Sequence, residues 1–411
     1  MRIDFLTRAS WLNEKRVTDY ARIFVCLYAV AAVIYLALSP ALIDPEGKPV
    51  GTDFMDVWAA GKLALAGEPA AAYDYARHYE VQRAALPFAD NAQPPYFGWH
   101  YPPLFLLVAA PLALLPYGIA LAVWMGATLP AYLAMVRAML PHRRWLLFAL
   151  AFPAVFVNFG HGQNGFLTAG LLGGGLLLLE RRPVLAGLCF GLLAYKPQFG
   201  LLLPLVLLAG RHWRAFIAAA GATVLASLIS YVAFGVETWR AFFSSLRLTR
   251  TFVLEQGPTG WEKIQSVFSA VRMLGGGIET AYAVHGVVAA LVTLAVVWVW
   301  YRPVPMPLKA AALATAATLT TPYVLDYDLI LLAIPIALLA FDGVRTDFLS
   351  GEKIILFAAW LLPIFSRTIG AFGVPIGPVV LLLLFVAILQ RAVAASGVEN
   401  PLAIREWRPT G

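Results

Sequence analysis

In this chain of 411 residues, 61% are hydrophobic and only 13% are charged, and the mean hydropathy is +0.76. Soluble domains carry about 25% charged residues, so this composition excludes a water-covered globular protein and makes lipid the solvent for most of the chain. The net charge of +7 reads as cytoplasmic loops rather than a nucleic-acid surface, and the two cysteines, Cys26 and Cys189, lie in apolar stretches that imply no disulfide framework.

The leader Met1–Arg22 carries Arg2, Arg8, Lys15, Arg16 and Arg22 and is expected to stay in the cytoplasm. A first span follows over about 23–41; it is too long for a signal-peptide core and reads as a retained helix. In the polar segment 43–103, acids (Asp44, Glu46, Asp53, Asp56, Glu68, Asp74, Glu80, Asp90) outnumber bases (Lys48, Lys62, Arg77, Arg83), which fits the outer face, in a bacterium the periplasm. Basic clusters then recur at Arg137/Arg143/Arg144, Arg181/Arg182, Arg211/Arg214, Arg302/Lys309, Arg345/Lys353 and Arg391. With all of these in the cytoplasm, each interval holds a pair of spans, and the outer turns fall at 158–164, 196–198, 234–263, 321–328 and 367–377.

The predicted architecture is an all-α polytopic membrane protein, one transmembrane domain over 1–411. It has about 12 transmembrane helices and cytoplasmic termini. The 43–103 segment is a periplasmic loop with a short interfacial helix, and 234–263 is a second periplasmic loop. Leu104–Leu115 and the halves around Lys196 are short enough to be re-entrant. Asp53, His100, His161, Gln163, Lys196, Asp326 and Asp328 all fall at the outer turns, so one face collects the candidate chemistry.

Each polar motif admits a structural and a chemical reading. In Gly51-Thr52-Asp53-Phe54-Met55-Asp56, Asp53 is either the N-cap of a short helix ending near Gly67, with Asp56 on its positive end, or a general base at the membrane edge. Trp99-His100-Tyr101-Pro102-Pro103 forces a sharp entry into the membrane and suits an interfacial anchor, with His100 and Tyr101 as further ligand contacts. Asn158-Phe159-Gly160-His161-Gly162-Gln163-Asn164 is either a polar hairpin turn or a tight glycine turn that brings His161 and Gln163 to a phosphate or sugar. Lys196 interrupts an apolar run beside the helix-breaking Pro197; it either snorkels to the headgroups or seats a lipid phosphate. In Thr321-Pro322-Tyr323-Val324-Leu325-Asp326-Tyr327-Asp328, the paired acids either cap an exposed turn or bind sugar hydroxyls. Gly170-xxx-Gly174 and Gly187-xxx-Gly191 mark close helix packing. There is no metal-ligand spacing, no nucleophile elbow and no P-loop.

Several of these motifs, in order and spacing, resemble glycosyltransferase family 87, also known as domain of unknown function 2029. The resemblance rests on Asp53-Phe54 with Ala59-Ala60-Gly61, Gly67 and Tyr73-Asp74; Tyr101-Pro102-Pro103 with Pro111-Leu112 and Leu115-Pro116; Gly162-Gln163-Asn164; and Ala186-Gly187 with Lys196-Pro197. It runs from about Asp53 to Asp328. It implies a GT-C-like fold and transfer of mannose or another hexose from a polyprenyl-phosphate donor to a lipid or glycan acceptor at the outer face. It also implies Asp53 as catalytic base and Lys196 and Gln163 near the donor phosphate; by the chemistry of a departing phosphate, His161 and an arginine such as Arg247 or Arg250 are further candidate cations there. Asp56, His100, Tyr101, Asp326 and Asp328 are the remaining candidates for acceptor or sugar contacts. Some family members carry a histidine near the turn that here reads Thr321–Asp326, and this chain has none there. No metal or cofactor is required, because the lipid phosphate is already an activated leaving group. A polytopic lipid or glycan transporter or flippase is the rival reading, since transporters also place polar groups at broken helices.

Overall fold

A computed structural model describes residues 8–89, 93–257 and 260–396. Arg2 and Asp90, named in the charge pattern, lie outside the described residues, as do positions 258 and 259 of the expected second loop.

Among the described residues the chain is all-helical, joined by turns and two isolated bridges, Ile43–Pro49 and Ile264–Leu325. Helix α1 (Glu14–Ala37) begins where Asn13 accepts the Arg16 N–H at 3.0 Å. It starts and ends earlier than the span expected at 23–41, because this cap fixes its start inside the basic leader. The first outer segment holds α2 (Phe54–Leu65) and α3 (Tyr75–Ala84). Then come α4 (Pro103–Leu112), α5 (Tyr117–Met139), α6 (Trp145–Ala151), α7 (Pro153–His161) and α8 (Gly165–Leu178). The apolar run around Lys196 divides into α9 (Pro183–Tyr195) and α10 (Pro197–Ala209). The long α11 (Trp213–Thr249), short α12 (Val267–Met273), α13 (Ile278–Tyr301) and α14 (Met306–Leu319) follow. After the 3-10 turn Asp326–Leu332 come α15 (Ala333–Thr346), α16 (Glu352–Ala371) and α17 (Ile376–Ser396).

Seven helical stretches among the described residues are long and apolar enough to cross a membrane, and α4, α8, α9, α10 and α14 are shorter apolar helices. Outward-facing Val33, Leu225, Val232, Leu291 and Leu294 are exposed, as a lipid-facing surface requires, while Trp300, Tyr132, Phe105 and Phe166 fill the interior.

The 234–263 segment, expected as a loop, is helical through Glu255. The helical stretch Trp213–Glu255 has 43 residues; at 1.5 Å per residue that is roughly 65 Å, about twice the hydrocarbon thickness. Gly235, at φ 79° and ψ 167°, breaks it. The part before the break is about 33 Å long, enough for one crossing. The part after it turns back over the first outer segment, where Phe242 meets the Tyr73 ring at 5.9 Å and Thr249 bonds His100.

The two ends of the bundle differ in chemistry. At one end Arg144 donates to Thr18 at 2.8 Å, Lys353 to the Leu12 carbonyl at 3.4 Å, and the buried Arg391 reaches Glu352 at 2.5 Å and Asp342 at 2.6 Å. The leader and the segments carrying Arg144, Lys353 and Arg391, all read as cytoplasmic, therefore meet at this end. The turns read as outer meet at the opposite end.

Candidate active site

The site is built where α2 starts. Asp53 stands at the N-cap position, yet its side chain does not cap the helix. Instead it points across to the turn between α7 and α8. Its Oδ2 accepts the Gln163 Nε2–H at 2.8 Å, its own N–H donates to the His161 carbonyl at 2.9 Å, and Oδ1 stands 3.9 Å from His161 Nδ1. His161 Nδ1 also lies 2.9 Å from Thr52 Oγ1.

This approach depends on Gly162, which ends α7 in the left-handed region at φ 63°. A Cβ there would sit 2.7 Å from Phe54 Cβ, so a side chain would push α2 away from the turn. Asn158 ties the same turn to a third segment. Its amide donates to the Ala154 and Tyr327 carbonyls at 2.8 Å, and its Oδ1 accepts the Gly165 N–H at 3.0 Å. Tyr101 completes the floor: its hydroxyl accepts from Asn164 Nδ2 at 2.7 Å and its ring packs edge-on or tilted against Trp99, Phe105 and Tyr195.

The remaining expected residues are placed as follows. Lys196 is buried and donates to Asp328 Oδ1 at 2.7 Å, with its ammonium over the Tyr327 ring at 5.3 Å. It neither snorkels nor stands open to a phosphate, because a buried ammonium needs a counter-charge and Asp328 supplies one. Asp328 Oδ2 also accepts the Leu325 N–H at 3.1 Å, so it caps the 3-10 turn as its position suggested. The turn itself is buried rather than solvated, with Asp326 at 6% and Asp328 at 2% exposure. Asp326 Oδ1 accepts the Tyr327 N–H at 2.9 Å.

Asp56, one helical turn beyond Asp53, is 5% exposed, and its Oδ1 has no hydrogen-bond partner among the described residues. Burial, helped by the Asp53 charge, pushes its carboxyl well above the usual range. His100 bonds Thr249 at 3.0 Å, and burial lowers it to about 4, so it is neutral at physiological pH. It therefore adds no positive charge for a phosphate.

Asn158, Gln265, Lys263 and Arg367 were not singled out as site residues, although the structure brings them to this end. The Gln265 N–H donates to the Val324 carbonyl at 2.7 Å beside the Ile264–Leu325 bridge, which docks the 261–265 segment on the acidic turn. Asn158 had a signal in the polar hairpin motif. Lys263 and Arg367 had only their places at the edges of outer turns.

This geometry defines a polytopic membrane protein with a carboxylate-centred polar cluster at one end of its helices. The chain matches the model of Glycosyltransferase family 87 over residues 99–325, more than half of its length, and it belongs to that family. The matched span contains Gln163, Lys196 and Tyr101 but not Asp53, so the contact between Asp53 and Gln163 is what joins the carboxylate to the family region. The chain is also similar to the polyprenol-phosphate-mannose-dependent alpha-(1-2)-phosphatidylinositol pentamannoside mannosyltransferase of Mycolicibacterium smegmatis, at 28% identity over 208 residues. That alignment covers 47% of each protein, so the chain spans about half the length of this curated relative. No solved structure matches the chain.

Proposed function

We propose that this protein is a membrane hexosyltransferase. It moves mannose or another hexose from a polyprenyl-phosphate donor to a lipid or glycan acceptor at the periplasmic face of the inner membrane. Family membership supports the reaction class, and the donor named for the mycobacterial relative supports the substrate class. The outer placement rests on the basic clusters gathered at the opposite end of the bundle.

The observation that carries the reading is the state of Asp53. Gln163 fixes one carboxylate oxygen, yet the side chain keeps 23% exposure at the mouth of the site. A carboxylate so held is oriented and accessible to an incoming hydroxyl. In the proposed reaction the acceptor oxygen bonds to the sugar C1 and its proton passes to Asp53. The bond from C1 to the phosphate oxygen breaks, and polyprenyl phosphate leaves with the bonding pair. Attack opposite the leaving group inverts the anomeric centre. The chemistry calls for no cofactor, since the phosphate is a competent leaving group.

The test is transfer by the purified chain in liposomes supplied with a polyprenyl-phosphate mannose and a cell-envelope lipid extract. Wild type forms a new glycosidic bond. Asp53→Asn loses at least about 100-fold in rate, the scale of general-base catalysis, while keeping its melting temperature. Undiminished turnover by Asp53→Asn removes it as the base. Movement of lipid across the bilayer with no new bond replaces the transferase by a transporter or flippase.

A further inference from the structure

With Lys196 neutralised by Asp328, the pocket's positive charge for a departing phosphate has to come from elsewhere. Several cations of the outer segments, among them Lys62, Arg83, Arg247 and Arg272, have no ion-paired carboxylate among the described residues, but two of the unpaired ones face the acids of the site: Lys263, half-buried, near Asp53 and Asp326, and Arg367, exposed, near Asp326. They come from separate elements that pack together. Lys263 closes the 3-10 turn Trp261–Lys263, and the following Ile264 and Gln265 are pinned to Leu325 and Val324 of the acidic turn. Arg367 lies near the outer end of α16, one turn before Gly370. A Cβ on Gly370 would sit 2.8 Å from Glu262 Cβ, so this end of α16 is seated directly on the turn that carries Lys263. Burial and the neighbouring Arg367 charge both lower the Lys263 pKa.

The carboxylates facing this pair are Asp53, Asp326 and Glu262, with Glu46 also facing Arg367. None stands within ion-pairing distance of either cation among the described residues; Glu46 pairs with Lys48 and Asp53 with Gln163. Asp53 and the Lys263–Arg367 pair thus lie near one another without an ion pair, their charged groups separated by a gap greater than direct contact. An inverting transfer needs such a gap, because the sugar ring must lie between base and leaving group. The leaving phosphate also changes from a singly charged diester to a doubly charged monoester as the bond to C1 breaks, and two cations match that increase.

We infer that Lys263 and Arg367 form the binding clamp for the lipid-borne phosphate of the donor. This rests on the transferase reading above and assigns the donor's phosphate subsite to residues other than Lys196.

The experiment uses the full chain in liposomes with Lys263→Gln, Arg367→Gln, the double variant, and Lys263→Arg as the conservative control. Three quantities are read: KM for the polyprenyl-phosphate sugar, KM for the acceptor, and the inhibition constant of polyprenyl monophosphate. Each Gln variant is expected to raise the inhibition constant about tenfold, as loss of a charge-assisted contact does. Donor KM rises less, because the diester carries one charge fewer, and acceptor KM stays level. Lys263→Arg retains most of the binding. An unchanged inhibition constant in the folded double variant overturns the clamp. A rise in acceptor KM alone also overturns it, by moving the phosphate to a phospholipid acceptor. If wild type transfers no sugar yet binds polyprenyl monophosphate in a manner lost with the double variant, the clamp stands and the transferase reading falls.

Discussion

Lys196 shows how far a single residue can be read. Its charge inside an apolar run marked it as exceptional, and the structure confirms that it is buried. Its partner lies 132 positions away, and no local pattern links the two. The pair sets a clear expectation. Lys196→Met leaves Asp328 buried without its cation, at a cost of about 3–5 kcal/mol, visible as a fall in melting temperature in detergent. Replacing both together, Lys196→Met with Asp328→Leu, regains most of that loss and keeps measurable donor binding. A double variant that is stable but binds no donor would return Lys196 to the phosphate subsite. Asp53 was equally legible as an unusual acid, and equally ambiguous. The cap reading failed because Gln163, 110 positions on, competes for the same carboxylate. The burial of Asp56 was not legible, since a first-turn acid looks alike whether solvent or protein covers it.

At the level of helices, proline and the Gly187–Gly191 pair were reliable guides. Pro197 separates α9 from α10, as its missing N–H requires. Gly187 and Gly191 press α9 against α11, where a Cβ would stand 2.5 Å from the Ala215 and Ala219 carbonyl oxygens respectively. Of the other pair, a Cβ on Gly170 would press on Ala131, whereas one on Gly174 would meet nothing within 4 Å. Gly191→Val should therefore cost about 1–3 kcal/mol through overpacking, while Gly174→Val should leave the melting temperature unchanged. Equal effects from the two substitutions would mean that helix propensity, not contact, governs these positions. The charge pattern placed an outer turn from 234, where the chain does break at Gly235, but the helix that continues beyond it to Glu255 was not legible. Gly221 lies in the same helix without any break, so glycine alone does not mark where the backbone turns.

For the whole molecule, charge asymmetry carried the most information. It grouped the turns that the structure brings together at each end, although it gave no distances within a group. It predicts a definite labelling pattern in a background with Cys26 and Cys189 replaced. A cysteine at the exposed Gln256 should react with a membrane-impermeant maleimide in intact spheroplasts. One at the exposed Ser350 should react only after lysis. The reverse pattern would turn the protein over and place the pocket in the cytoplasm.

The pocket is stitched from remote pieces: Thr52 to His161, Lys196 to Asp328, His100 to Thr249. During synthesis the ribosome delivers Lys196 well before the acid that neutralises it. An ammonium at membrane depth without a counter-ion resists stable insertion, so the α9–α10 hairpin can settle only when the last third of the chain arrives. A prematurely terminated product would carry Asp53 beside Gln163 but an unsettled hairpin around Lys196.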